Sequence, residues 1–273
     1  MKYVKITVIL LFVLSLGLYG AGRVKEKRDE DPTRPVITSD REVLEISVNY
    51  GEEELFAGLT AQDERDGDLT DEIIHGKFSQ FIEPGVCNLG YVVFDSSNQA
   101  GTLSRKVRFV DYESPKLSLS RPLVYTIGEG ESAIDSIGAS DVLDGSLSDM
   151  VKQVSSTVDY RTEGDYTVSV EVSNSFGDVE EQTLPVHIIS AGRQELQIEL
   201  SAPLVYLKAG DSFDPHAFVT ALTGSGGEAL DPALVQADSQ VNTAEPGCYE
   251  VHYSAVSENG QLGETWMTVI VRA

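Results

Sequence analysis

The sequence predicts an all-β protein made of three tandem β-sandwich domains behind an N-terminal hydrophobic helix. Segments such as LEISVNY, YTVSVEVSN and YEVHYSAVS alternate apolar and polar residues with a period of two, which is typical of half-buried strands. Gly, Asp, Asn, Ser and Pro cluster between these segments, as tight turns require. The segments also recur along the chain with a period of about 80 residues, which is the size of a small domain.

The N-terminal segment 1–22 differs from the rest of the chain. It begins with the basic stretch MKYVK, and residues 6–22 carry no charge. This uncharged run is at the lower limit for a membrane-spanning helix and slightly longer than a usual signal-peptide core. We therefore expect either a cleaved signal peptide or an uncleaved N-terminal membrane anchor, followed by a linker over 23–33. Both alternatives export the remainder of the chain.

Internal similarity sets the domain boundaries. GLTAQDERDGDLTDEI aligns with SIGASDVLDGSLSDMV, so that Asp63 corresponds to Asp141, and an EPG block recurs in the first and third repeats. The predicted domains are 34–112, 113–190 and a divergent third domain, 191–273. About seven short strands in each repeat, with regular turn signals between them, indicate an immunoglobulin-like sandwich.

Two motifs of the first repeat, AQDERDGDLT and EPGVCNLGYVVFDSSNQAG, resemble the bacterial surface immunoglobulin-like domain family, which also occurs as an accessory module in pesticidal crystal proteins. The positions that carry the resemblance are Ala61, Asp63, Asp66, Gly67, Asp68, Leu69, Thr70, Pro84, Gly85, Asp95 and Ser96. The second repeat has Ser146, Ser148 and Asn174 at positions of this pattern, and the third repeat has lost the acidic loop. The resemblance implies a surface setting, and this family has no shared catalytic activity.

The acidic loop has two interpretations. Calcium prefers six to eight oxygen ligands, and Asp63, Asp66, Asp68 and Asp95 are the candidate calcium ligands, although their spacing is not that of an EF-hand. The alternative is a turn in which aspartates accept backbone N–H groups, Gly67 has a positive φ, and the following leucine enters the core. The second repeat keeps the turn residues and loses the third carboxylate, which favours the turn and confines any calcium site to the first repeat.

Composition and motifs exclude several classes of function. The formal net charge of −24 would repel a phosphate backbone, so we expect no nucleic-acid partner. The four histidines have no zinc-ligand spacing, no nucleophile motif is present, and we expect no resident cofactor. Cys87 and Cys248 are predicted to be free thiols, and Trp266 is predicted to be a packing residue rather than a sugar platform.

The sequence therefore predicts a non-enzymatic, exported cell-surface protein that acts as a stalk, an adhesion module or a ligand-binding module. Expected partners are a protein or a glycan at the cell surface, and the membrane if the N-terminal helix is uncleaved. The third repeat is the predicted contact region. A carbohydrate-binding accessory protein, an enzyme with an active site between domains and an inert envelope protein are the alternatives.

Overall fold

The structure is a computed structural model, and it describes residues 12–21, 33–129 and 132–273. Residues 12–21, within the predicted leader, are helical. The rest of the leader and most of the predicted linker lie outside the described residues. Among the residues that are described, no helix has both the length and the apolar character needed to cross a membrane.

The prediction of an all-β fold is confirmed, and the chain forms two compact units, residues 1–112 and 113–273. The strands of the first unit are β1 Val36–Ser39, β2 Val43–Ile46, β3 Leu59–Asp63, β4 Gly67–Asp68, β5 Ile74–Phe78, β6 Val86–Phe94 and β7 Ala100–Phe109. Short 3-10 helices lie at Glu52–Phe56 and Thr70–Glu72.

The second unit contains this strand order twice. Its first sandwich comprises β8 Lys116–Leu119, β9 Val124–Thr126, β10 Ile137–Asp141, β11 Gly145–Ser146, β12 Lys152–Ser156, β13 Gly164–Ser173 and β14 Val179–Ile189. Its second sandwich comprises β15 Gln197–Leu200, β16 Leu204–Lys208, β17 Val219–Thr223, β18 Ala229–Leu230, β19 Gln236–Ser239, β20 Gly247–Val256 and β21 Leu262–Arg272. The 3-10 helices of this unit are Ala133–Ser136, Ser148–Met150, Ala191–Arg193, Pro215–Phe218 and Pro232–Leu234.

All three sandwiches have the same topology. Each pairs a three-stranded sheet with a four-stranded sheet, in the orders β1-β3-β4 and β2-β7-β6-β5, β11-β10-β8 and β12-β13-β14-β9, and β15-β17-β18 and β16-β21-β20-β19. Each four-stranded sheet contains one parallel pair, formed by the second strand and the last strand of its repeat: β2 with β7, β9 with β14, and β16 with β21. The first two strands of each repeat therefore lie in different sheets, and together they close one edge of the sandwich.

The first sandwich closes on alternate side chains of its strands, because successive residues of a strand point to opposite faces. Leu89, Tyr91 and Val93 of β6 are all at most 2% exposed. The buried Arg105 donates to the carbonyl oxygens of Leu55 (2.5 Å) and Ala57 (2.8 Å), so its desolvated N–H groups keep hydrogen-bond partners. Both cysteines are free thiols, as predicted.

The two sandwiches of the second unit, which we call the central sandwich (113–190) and the C-terminal sandwich (191–273), pack against each other through their four-stranded sheets. Met267, Val269 and Val271 of β21 point into the core of the C-terminal sandwich. Ile270, with the opposite parity, is buried in the core of the central sandwich. One strand thus contributes one of its faces to each of two cores.

Polar contacts reinforce this packing. The backbone N–H of Leu117 donates to the Tyr206 hydroxyl at 2.7 Å. Arg272 donates to the Pro115 carbonyl oxygen at 2.8 Å and forms an ion pair with Glu180 at 2.9 Å. Burial raises the pKa of Tyr206 to about 12. These contacts fix the β16 end of the interface.

Candidate functional site

The acidic loop of the first sandwich is a turn held by side-chain hydrogen bonds to the backbone. Oδ1 of Asp63 accepts the backbone N–H groups of Arg65 (2.8 Å) and Asp66 (3.0 Å). Gly67 has a φ of +79°, and Leu69 is only 7% exposed. These are the features that the turn interpretation predicts.

The structure gives Asp66 and Asp68 separate hydrogen-bonding roles. Asp66 accepts the N–H (2.7 Å) and the hydroxyl (2.9 Å) of Ser96, which ties the loop to the turn after β6. Asp68 accepts the hydroxyl of Thr70 at 2.6 Å and its N–H at 3.0 Å. These bonds lower the pKa of Asp68, and the bond from the Thr70 hydroxyl has the larger effect.

Asp63 and Asp95 differ from the other two predicted ligands because they are buried, each 7% exposed. Oδ2 of each carboxylate is buried and has no hydrogen-bond partner. Within the part of the chain that the structure describes, no group of three or more His, Cys, Asp and Glu side chains is arranged to hold a metal ion. Of the four predicted ligands, Asp66 and Asp68 therefore make hydrogen bonds near the surface, whereas Asp63 and Asp95 are buried.

A cleft of about 410 Å³ lies in the second unit. It lies where the central and C-terminal sandwiches meet. Its lining residues are Thr167, Thr183, Pro185, Asp238, Gln240, Cys248, Tyr249, Glu250, His252 and Trp266. Strands β13 and β14 contribute one wall, and β19, β20 and β21 contribute the other.

His187 of β14 joins the two walls beside the cleft. Its Nδ1 lies 2.8 Å from Asp165 Oδ1 on the neighbouring strand, and its Nε2 lies 2.6 Å from Glu250 Oε1 on the C-terminal sandwich. Burial lowers the pKa of His187, but the hydrogen bonds and charges of Glu250 and then Asp165 outweigh it, so the pKa is raised overall. When both ring nitrogens carry a proton, the imidazole donates to one carboxylate from each sandwich.

Trp266 is stacked between two histidines. Its ring lies 4.1 Å from the His187 ring at an interplanar angle of 13°, and 4.4 Å from the His252 ring at 23°. Trp266 therefore packs against one histidine from each sandwich, which agrees with the prediction of a packing residue. His252 Nε2 lies 3.5 Å from Glu264, a charge contact too long for a strong hydrogen bond.

Arg193, in the short connection between the two sandwiches, closes the opposite side of this cluster. Its Nη1 donates to Glu163 of the central sandwich at 2.8 Å, and its Nε donates to Glu264 of the C-terminal sandwich at 3.0 Å. The two sandwiches are thus joined by His187 and Arg193, and each of these side chains contacts one carboxylate from each sandwich.

Sequence reasoning missed this cluster, because it treated the histidines as ordinary strand and loop residues. The sequence contains one signal of this cluster, which is the alternation of inward and outward side chains along each strand. His187, His252 and Trp266 each occupy strand positions that alternate with buried apolar residues, so they point away from the core of their own sandwich. Three large rings on outward positions indicate a second packing surface.

The cleft rim offers hydrogen-bonding groups of several kinds. Asp238 and Gln240 are exposed, and Thr167 and Thr183 present hydroxyl groups from the opposite wall. Tyr249 donates its own hydroxyl to the Glu245 carbonyl oxygen at 3.0 Å, which fixes its ring at the margin. Glu250 is occupied by His187, so its carboxylate holds the wall together rather than acting as a free acid or base.

Comparison with known proteins gives limited similarity. No family model matches the chain. The chain is 27% identical over 249 residues to the pesticidal crystal protein Cry22Aa of Bacillus thuringiensis, covering 88% of this chain and 33% of that protein. The chain thus spans about a third of the length of the relative it matches.

Solved structures align with the chain at low TM-scores. Carbohydrate-binding and INT domains of Clostridium perfringens ZmpB align with 21% identity over 54% of this chain and 26% of theirs, with a TM-score of 0.23. The protocadherin GammaB4 extracellular domain aligns with 11% identity over 89% of this chain and 50% of its own, with a TM-score of 0.21. At these scores the fold assignment rests on the strand order of the chain itself.

Proposed function

We propose that this chain is a non-enzymatic binding module, exported to a bacterial cell surface, which contacts a protein or glycan partner through the cleft of its second unit. The observation that carries the proposal is the cleft itself, a concave site of about 410 Å³ with carboxylate, amide, hydroxyl and aromatic side chains in its lining. It includes residues of the divergent third repeat, where contact with a ligand was predicted.

The construction of the walls supports a binding role. His187 and Arg193 join the two sandwiches, and His187 does so by contacting Glu250 in the cleft lining. A site whose walls are fixed before binding loses less conformational entropy when a ligand enters. Glu250, one of the carboxylates that line the cleft, is engaged by His187, which supports a binding role over catalysis.

A glycan is the second candidate partner, and the lining favours its recognition through hydrogen bonds. Asp238, Gln240 and the two threonines can donate to or accept from sugar hydroxyl groups. Trp266 already stacks on His187 and His252, so ring stacking with a sugar is the smaller part of this proposal. Specificity would then depend on the polar rim.

The surface setting is part of the same proposal. The uncharged leader supports export, either with cleavage or with retention as an anchor, and the family resemblance supports an extracellular location. The similarity to a pesticidal crystal protein supports the role of an accessory module, since it covers a third of that protein.

The test is a binding screen with the exported portion of the chain against cell-wall fractions, glycan arrays and surface proteins. We expect the double variant D238A/Q240A to lose at least tenfold in affinity for the captured partner. Gln236→Ala is the matched control, because Gln236 lies on the same strand, is exposed and does not line the cleft. Equal affinity of the double variant and the control would contradict the proposal.

A further inference from the structure

Asp63 and Asp95 of the first sandwich each have one carboxylate oxygen without a hydrogen-bond partner. Each carboxylate uses Oδ1 to accept backbone N–H groups, from Arg65 and Asp66 in one case and from Gln99 (2.7 Å) in the other. Each leaves Oδ2 buried without a donor. A buried charged oxygen that lacks a partner is costly, so it points to a group that is still to be supplied.

The central sandwich contains the complete form of this pair. Oδ1 of Asp141 accepts the N–H groups of Leu143 (2.8 Å) and Asp144 (3.1 Å), as Asp63 does two and three residues ahead in its own turn. Oδ1 of Asn174 accepts the N–H of Asp178 four residues ahead at 2.9 Å, as Asp95 does with Gln99. Nδ2 of Asn174 then donates to Oδ2 of Asp141 at 3.2 Å.

The hydrogen bonds between the acidic turn and the serine beside it also occur in both sandwiches, and they establish which residues correspond. Asp66 accepts the N–H and the hydroxyl of Ser96, and Asp144 accepts the same two groups of Ser175 at 2.6 and 2.8 Å. Oδ2 of Asp95 therefore takes the place of the amide nitrogen of Asn174. Where the central sandwich has a donor and an acceptor, the first sandwich has two acceptors.

We propose that Asp63 and Asp95 bind a hard divalent cation, of the calcium type, between their free Oδ2 atoms. A doubly charged ion neutralises both carboxylates and replaces the missing donor, and hard cations take oxygen ligands. Water and backbone oxygens would complete its coordination. The neighbouring acidic side chains Glu64, Asp66 and Asp68 raise the local concentration of cations.

The direct test counts bound ions on the full-length chain by isothermal titration with CaCl₂ and by equilibrium dialysis with metal analysis, with MgCl₂ as a parallel arm. Wild-type protein is expected to bind one ion. Asp95→Asn installs the pair found in the central sandwich and is expected to bind none. Asn174→Asp converts the central sandwich to the arrangement of the first and is expected to bring the total to two.

Asp68→Asn is the matched control, because it removes a carboxylate of the same loop that is exposed and occupied by Thr70. It is expected to bind one ion, like the wild type. Circular dichroism of each variant establishes that the strands are intact, and Asp63→Asn provides a second way to remove the pair. Folded wild-type protein that binds no ion, a folded D95N variant that still binds one, or a folded N174D variant that gains none would each overturn the proposal.

Discussion

The central and C-terminal sandwiches share a strand order and differ in which face of one strand is buried. Both contain the sequence PLVY, and the repetition predicts a shared packing role for Tyr125 and Tyr206. Tyr125 is fully buried in the core of its own sandwich, whereas Tyr206 points out of its sandwich and packs against the core of the central one. A shift of one residue along a strand moves every side chain to the other face, so the same four residues can build a core or an interface.

This difference explains how the second unit acquires a cleft. Because β16 presents Leu204 and Tyr206 and β21 presents Ile270 on their outer faces, the C-terminal sandwich buries that sheet against the central sandwich. His187, Trp266 and His252 fill the contact on one side, and the cleft remains beside them. The shape of the cleft and the packing of the two sandwiches therefore depend on the same residues.

The largest effect is expected from Ile270→Ala. Ile270 is 3% exposed in the core of the central sandwich although it belongs to the C-terminal one, so truncation leaves a cavity and costs about 2–5 kcal/mol of unfolding free energy. Urea denaturation followed through Trp266, the single tryptophan, measures it. Val256→Ala, at a residue 57% exposed, is the control, and an equal effect of the two variants would refute the shared core.

A smaller effect is expected from Tyr206→Phe. This change removes the acceptor of the Leu117 N–H and leaves a partly buried donor unpaired, which costs about 1–3 kcal/mol. Tyr125→Phe is the matched variant and removes only a long hydroxyl contact with Ser136 at 3.2 Å. We expect the Tyr206 variant to be the less stable of the two by urea denaturation. The reverse order would show that the interface hydrogen bond contributes less than the contact within the core.

The smallest expected effect is a change in pH dependence. The pKa of His187 is higher in the folded protein than in the unfolded chain, so its contribution to stability is complete below the unfolded pKa and is lost as pH rises through the folded pKa. Solvent screens the exposed Asp165, which leaves Glu250 as the main partner. Unfolding free energies measured from pH 5 to pH 9 should decline for the wild type and decline less for His187→Gln. Parallel curves would contradict this role of His187.

The sequence was sufficient to predict the fold of each repeat and the turn geometry of the acidic loop, because both depend on local signals. Alternation in β6 and β13 predicts the sandwich cores, and Gly67 predicts the positive φ. The packing of two sandwiches could not be predicted in the same way. It depends on the surface against which the outward-facing side chains Tyr206, His252 and Trp266 pack, and alternation alone does not identify that surface.

The missing donor beside Asp63 was also beyond the reach of sequence reasoning. An aspartate at position 95 and an asparagine at position 174 are both ordinary turn residues. Only the hydrogen bond from Asn174 to Asp141 shows that the equivalent carboxylate of Asp95 lacks a donor.

Native-state hydrogen exchange on the full-length chain tests most directly whether residues 113–273 unfold as one body. Val170 and Val251 lie on the central strands β13 and β20 and are fully buried in different sandwiches. If the two sandwiches unfold together, their amides exchange with the same opening free energy and the same dependence on denaturant. Exchange of Val251 through an opening that leaves Val170 protected would contradict the account.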